Sequence, residues 1–312
     1  MKSDRGGLAA EFWTKNARPR WGLLLAVCLG VAALFAPAEA GPLIHAHPAL
    51  WHVQGPGGDA YLFGSIHLLP KGTAWHTAEV DAAIRRADVF VFEVAVGTKV
   101  QAKIRGLIAT EGMLPPDRSL RALLPPSARP NFDAAVAKAH LSPDVVDHER
   151  PWLVALQMLV AESAERHYSA NAGVDHQVMA IAMRRHKPMR YFETIGQQFQ
   201  LLAGSSEKVQ LKEFEADLKD FKNDDDELEP LVEAWSAGQE DKLARIMNSD
   251  LMDEPDARKT LLTDRNRRWT ERIEVMLKKK KTFFITVGAG HLAGPDGVPA
   301  MLRRAGYKVD GP

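Results

Sequence analysis

Four polar residues occupy the same kind of place in this sequence. His67 closes "YLFGSIH", Glu93 lies near the end of "DVFVFEV", Glu193 ends "PMRYFE", and His291 follows "TFFITVGAG". Each stands at or near the C-terminal end of an apolar segment that reads as a strand. In open α/β sheets that edge is where ligands bind. If the four strands are parallel neighbours, two imidazoles and two carboxylates meet in one cleft. Such a group has two standard uses. Neutral imidazole and carboxylate can hold a divalent metal that activates water. Alternatively, His and Glu act as general base and acid without a metal, since histidine titrates near working pH. Arg265 would then stabilise developing negative charge. The plain alternative is four unrelated buried side chains, each with its own hydrogen bond. That suits one residue better than four, because an ionised carboxylate buried without a partner is costly.

The glycines around the histidines sharpen the pattern. "GSIH" and "GAGH" both fit G-x-x-H, and a glycine three residues before the histidine lets the backbone turn or approach a ligand closely. One copy is weak; two copies, each ending an apolar strand, are stronger. The segments that follow also share "RRA", a hint of duplication or a chance product of arginine-rich helix ends. Other catalytic signatures are missing: the sequence has no H-E-x-x-H and no G-x-S-x-G. Ser65 reads as a strand residue, and His45, His47 and His52 as a near-terminal cluster without a role. "NDDDELE" reads as a solvated face, because its carboxylates lack the alternation and glycine of a calcium loop.

The elements that must position these residues follow from hydrophobic period. "LWHVQGPGGDAYLFGSIH" reads as a β-hairpin turning at its glycines. Residues 76–88 read as a helix with Val80, Ala83, Ile84 and Ala87 on one face and Thr77 as its cap. Residues 88–94 are apolar on both faces, as in the middle of a covered sheet. Residues 131–187 look helical, 187–193 return to strand, and 197–250 are helical again. A long helix is predicted from about 257 to 281. Leu262, Trp269, Ile273 and Met276 form its apolar stripe, and Asn266 interrupts that stripe with a polar side chain beside Arg265. A strand over 282–292 and a final helix and strand close the chain.

Composition bounds the class. The chain has 312 residues, 46% of them hydrophobic, and zero formal net charge. Nothing suggests nucleic acid as a partner. Residues 1–40 read as a targeting segment: Lys15, Arg18 and Arg20 precede an apolar run over 21–35, and "APAEA" fits a cleavage site after Ala40. That run is shorter than the roughly 20 residues a membrane span needs. The mature chain, expected in the periplasm or secreted, would then have no stable membrane span. Cys28, the one cysteine, lies in the removed segment, so disulfides and thiolate chemistry are excluded from the remainder.

Taken together, "YLFGSIHLLP", "VFEV", "GVD" at 173–175, "FETIGQQ" at 192–198, "DRNRRW" at 264–269 and "VGAGHLAGPDGV" at 287–298 resemble the TraB/GumN family, to which the Tiki proteases are related. The resemblance spans about 50–310. It implies an α/β fold of the erythromycin-esterase/ChaN-like superfamily: a mixed central sheet with helices on both faces and a largely helical insertion, about 131–187 and 197–281. It implies one domain over 41–312. Tiki members are described as metal-dependent proteases with two G-x-x-H motifs and an essential glutamate. Carried over, these imply a divalent manganese, cobalt or zinc ion held by His67, His291 and Glu93. Glu93, Glu193, Arg265 and Asn266 would serve in catalysis, and Asp175 matches a further family position. The expected activity is an extracytoplasmic hydrolase, metal-assisted and peptidase-like, acting on a peptide or small molecule. The alternatives are a metal-independent esterase-like hydrolase and a module that binds a peptide or small ligand without turnover.

Overall fold

A computed structural model describes residues 44–223, 228–252 and 255–312. The predicted targeting segment, Cys28 and the cleavage point after Ala40 lie outside the described residues, as does part of the acidic run. The centre of the fold is a six-stranded mixed sheet. Its strands are β1 (Leu50–Gln54), β2 (Asp59–Ser65), β3 (Val89–Phe92), β4 (Met189–Tyr191), β5 (Thr282–Gly288) and β6 (Lys308–Asp310). Their spatial order is β6-β1-β2-β5-β3-β4. The predicted hairpin is the antiparallel β1–β2 pair, and β6 pairs antiparallel to β1. The four strands that precede the chemical residues are consecutive neighbours, and all run parallel. Ser65 is level with Gly288, and Phe92 is level with both Thr286 and Tyr191. The four chain exits therefore open on one edge.

Helices cover both faces. Those used below are α1 (Ala78–Arg86), α2 (Pro151–Glu165), α3 (Val174–Arg184), α4 (Ile195–Ala203), α5 (Glu240–Met252), α6 (Asp264–Leu277) and α7 (Val298–Arg304). Alternation along the strands divides the core into two layers. Phe63, Phe90, Phe92 and Phe284 pack with Val80 and Ile84 of α1 and with the apolar residues of α2 and α3. Leu62, Val89, Val91 and Ile285 face the other way, onto Trp269 and Ile273 of α6 and Leu302 of α7. Thr77 caps α1 as expected, accepting a hydrogen bond from the Val80 amide at 3.2 Å. Among the described residues no helix is long and apolar enough to cross a membrane.

Three boundaries differ from expectation, each for a local reason. The strand predicted over 282–292 stops at Gly288, and Ala289–His291 form a single 3₁₀ turn. The long helix predicted over 257–281 is broken near its start: Lys259–Thr263 are a π-helical turn, and regular α-helix runs only from Asp264 to Leu277. The lysines beyond it are exposed, and the Leu277 carbonyl accepts from the Gly57 amide of the glycine turn instead of continuing the helix. The helical stretch 131–187 is interrupted by a short strand, Tyr168–Ser169, which pairs with Leu69–Pro70 just after His67.

Candidate active site

The sheet edge holds all four residues, and α3 and α6 supply their partners. His67 leaves β2 two residues after the strand ends and is 6% exposed. The chain is turned here by two fixed contacts: the Gly64 carbonyl accepts from the Trp235 indole at 2.9 Å, and the Ile66 carbonyl accepts from the Val174 amide at 3.2 Å. Gly173 permits the second contact, since a Cβ there would lie 2.3 Å from the His67 carbonyl oxygen. That close approach brings the first turn of α3 against the histidine. Asp175 in that turn places Oδ1 2.9 Å from His67 Nδ1 and accepts from Ser65 Oγ at 2.7 Å. Its own amide donates to Ser65 Oγ at 3.2 Å. An aspartate in a first helical turn is ordinarily a solvated partner of the helix dipole. This one is buried and orients an imidazole. A carboxylate at Nδ1 fixes the proton there, so Nε2 is the basic nitrogen.

His291 carries the opposite assignment. Its Nε2 lies 3.0 Å from Arg265 Nη1, and its Nδ1 lies 2.6 Å from Asn266 Oδ1. A guanidinium only donates, so Nε2 is the acceptor and Nδ1 bears the proton. Asn266 Nδ2 donates to the Asp296 carbonyl at 2.8 Å, which fixes the amide the right way round. Burial, the Arg265 charge and His67 together hold the His291 pKa well below the ordinary histidine value. The ring is neutral.

Arg265 is the hub. It is 1% exposed and donates to Glu193 Oε1 at 2.8 Å, Glu193 Oε2 at 3.0 Å, Glu93 Oε2 at 2.9 Å and the Leu261 carbonyl at 3.2 Å. The π-helical turn presents that carbonyl. Burial lowers the Arg265 pKa, but Glu93 and Glu193 outweigh it and the net direction is upward. Glu193 is further held by the Gln198 amide at 2.6 Å and the Trp269 indole at 3.2 Å. Glu93 Oε1 accepts from the Gly288 amide at 2.6 Å. Burial pushes the Glu93 pKa up and Glu193 adds to the rise, against the opposing pull of Arg265, His67 and that amide.

Gly288 marks where these groups meet. A Cβ at this position would stand 3.1 Å from Glu93 Oε1, 3.6 Å from His291 Cδ2 and 4.0 Å from His67 Nε2. The imidazole base and one carboxylate thus face a common point, while His291 shows it a carbon edge. In this arrangement His291 Nε2 is bonded to Arg265, whose guanidinium lies among Glu93, Glu193 and His291. Among the described residues no group of three His, Cys, Asp or Glu side chains is placed to hold a metal ion.

All six expected site residues are brought together. Asn266 contributes as a support for His291, not as a group facing the common point. The G-x-x-H spacing singled out Gly288, the glycine three residues before His291; Ser65 was read only as a strand residue, and Asp175 stood out only through the resemblance. A carboxylate two residues after a glycine, opening a helix with a buried first turn, is the signal that points to Asp175. A surface cleft of about 460 Å³ has Glu193 and Arg265 among its lining residues.

The sequence matches the TraB/PrgY/gumN family over residues 49–311. It is 22% identical over 247 residues to the uncharacterized protein YbaP of Escherichia coli (strain K12), covering 78% of this chain and 87% of YbaP. The Shigella flexneri YbaP gives 22% over 248 residues, covering 78% of this chain and 88% of that protein. A stretch of 55 residues is 42% identical to the metalloprotease TIKI1 of Danio rerio, covering 17% of this chain and 11% of that protein. No solved structure matches.

Proposed function

This chain belongs to the TraB/PrgY/gumN family, and from that membership and the site geometry we propose that it is a hydrolase whose water-activating base is His67. The observation that carries the reading is the buried Asp175–His67 pair, with His67 Nε2 and Glu93 Oε1 both facing the point left bare by Gly288. Asp175 holds the tautomer that leaves Nε2 basic. A water lodged over Gly288, beside that point and in reach of Nε2, gives its proton to Nε2 as its oxygen attacks an acyl carbon. The Arg265 guanidinium, its five N–H groups all engaged, holds Glu93, Glu193 and His291 in place behind that point and leaves no donor for the acyl oxygen. The proton then passes to the leaving atom as the acyl bond breaks. Glu93, its pKa raised by burial against the pull of Arg265, is the second titratable group at that point. A panel of ester and peptide substrates tests this. Turnover that His67→Ala abolishes supports it; turnover unaffected by that change, or none across the panel, refutes it.

A metal-assisted, peptidase-like version is a second reading. The similarity of one stretch to the metalloprotease TIKI1 points to it, and so does charge: Glu93 and Glu193 share the single guanidinium of Arg265, and the buried Asp175 adds a third carboxylate beside His67. A divalent cation would offset that excess. His67 and Glu93 are placed to contribute; His291 would first have to release Arg265. Metal analysis of the purified protein, with activity before and after chelation and on return of manganese, cobalt or zinc, separates the two readings. The targeting pattern read in residues 1–40 supports an activity outside the cytoplasm, in the periplasm or medium. A mature N-terminus at Gly41 is the expected result of N-terminal sequencing.

A further inference from the structure

A buried hydroxyl normally finds a hydrogen-bond partner. Thr286 on β5 does not follow that rule. It is 1% exposed, and its Oγ1 has no partner among the described residues. Threonine suits a strand, so its presence is ordinary and its unpaired hydroxyl is not. The register shows where it stands. Phe63 of β2 and Phe92 of β3 flank it on either side. Its chain neighbours Ile285 and Val287 pack into the layer of α6, so alternation turns Thr286 to the opposite face, with Phe284 and Gly288. That face is covered by α3. Thr286 is therefore the next side chain along β5 from the point that Gly288 leaves bare.

A second unpaired atom borders this part of the sheet from α3. Asp175 uses Oδ1 for His67 and Ser65, while its Oδ2 is buried with no partner among the described residues. Ser65 is level with Gly288 on the neighbouring strand, which sets the carboxylate over the same stretch. His67 Nε2 lies 4.0 Å from the Cβ position of Gly288. These three groups suit a single water molecule. Nε2 and Oδ2 accept its two protons, and the threonine hydroxyl donates to its oxygen. Buried waters typically make about three such bonds to polar groups that would otherwise be unsatisfied. A water held this way shows one proton to Nε2 and keeps one lone pair for an acyl carbon.

We propose that Thr286 is a positioning residue whose hydroxyl, together with Asp175 Oδ2, fixes the water that His67 activates. The use made of the water rests on the hydrolase reading; the water site does not. Crystal structures of the full chain and of Thr286→Val, with turnover of both and of Thr286→Ser, test the proposal. The parent should hold a water within about 3.2 Å of both Thr286 Oγ1 and His67 Nε2, and Thr286→Val should lose or displace it. Thr286→Val should lower kcat about tenfold with KM unchanged, and its unfolding midpoint should hold because the side-chain shape is kept. Thr286→Ser, which restores the hydroxyl, should recover most of the loss. A parent without that water, the same water in Thr286→Val, full kcat in Thr286→Val, or a kcat that falls together with the midpoint overturns the proposal. The water held as described, with no hydrolysis of any substrate, upholds the site and removes the hydrolase reading. Hydrolysis that depends on His67 but not on Thr286 does the reverse.

Discussion

The two G-x-x-H histidines share their grammar and differ in almost everything that determines their chemistry. Both follow central, parallel strands, on β2 and β5, and both are buried. His67 is met by a carboxylate at Nδ1, which leaves Nε2 as a base. His291 is met by a guanidinium at Nε2 and an amide oxygen at Nδ1, which leaves a neutral ring with neither nitrogen available. A motif places a side chain; the partner across from it assigns the role. The partners come from helices far along the chain, Asp175 on α3 for one histidine and Arg265 and Asn266 on α6 for the other.

Removing the hub should break the comparison most severely. Arg265→Ala leaves Glu93 and Glu193 buried without their shared cation, a loss of about 3–5 kcal/mol. Denaturant unfolding should show it as a large fall in midpoint; an unchanged midpoint would mean that the two carboxylates are not both ionised against Arg265. The next effect is on catalysis. His67→Asn should lower kcat by about 10²- to 10⁴-fold with little change in unfolding midpoint. His291→Asn should act through the fold and the placement of Arg265, so that stability and activity fall together. Asp175→Asn removes the carboxylate that holds His67. Losing a charge-assisted hydrogen bond worth about 1.5–3 kcal/mol predicts a fall in kcat of about 10- to 100-fold, with a pH profile altered relative to the parent.

Smaller and more local is Gly288→Ala. The added methyl would sit 3.1 Å from Glu93 Oε1, so Glu93 must shift by a few tenths of an ångström. The fold should persist while kcat falls by less than about 10²-fold; full activity would show that the point at Gly288 is not where water reacts. The mildest test is the pH dependence of stability. The folded pKa of His291 is depressed, so below the ordinary histidine value, about 6.5, the unfolded chain takes up a proton that the folded chain refuses. The His291 contribution is fully present above that value and is lost as pH falls below it. Glu93 works in the opposite sense: its folded pKa is raised, so its contribution is full below the ordinary glutamate value and is lost as pH rises through the folded one. Unfolding midpoints measured from pH 7 down to pH 5 should decline, and the decline should flatten in His291→Asn.

Much of the scaffold was legible because strands declare themselves locally. "YLFGSIH", "DVFVFEV" and "TFFITVG" are apolar runs that end at a polar residue, and the structure makes them parallel neighbours, the condition for convergence. Thr77 and the glycine turn at 55–58 were equally local signals. The π-helical turn before Arg265 was not legible, since its residues fit α-helical spacing; in the structure its Leu261 carbonyl accepts from the Arg265 side chain. Asn266 showed as a flaw in an apolar stripe, and the flaw proved to be the support of His291. The roles of the two histidines could not be read from spacing, because a tautomer is set by hydrogen bonds from partners 25 to 108 residues away in sequence.

The central claim is that one histidine is a base and the other a neutral prop, and ring nitrogen-15 spectra of histidine-labelled protein test it most directly. With His67→Asn and His291→Asn used for assignment, His291 should show protonated Nδ1 and bare Nε2 from pH 5 to 8 without titrating. His67 should show a proton on Nδ1 in its neutral form and respond when Asp175 is replaced by Asn. A His291 ring that carries its proton on Nε2, or that titrates near the ordinary histidine value, would contradict the account.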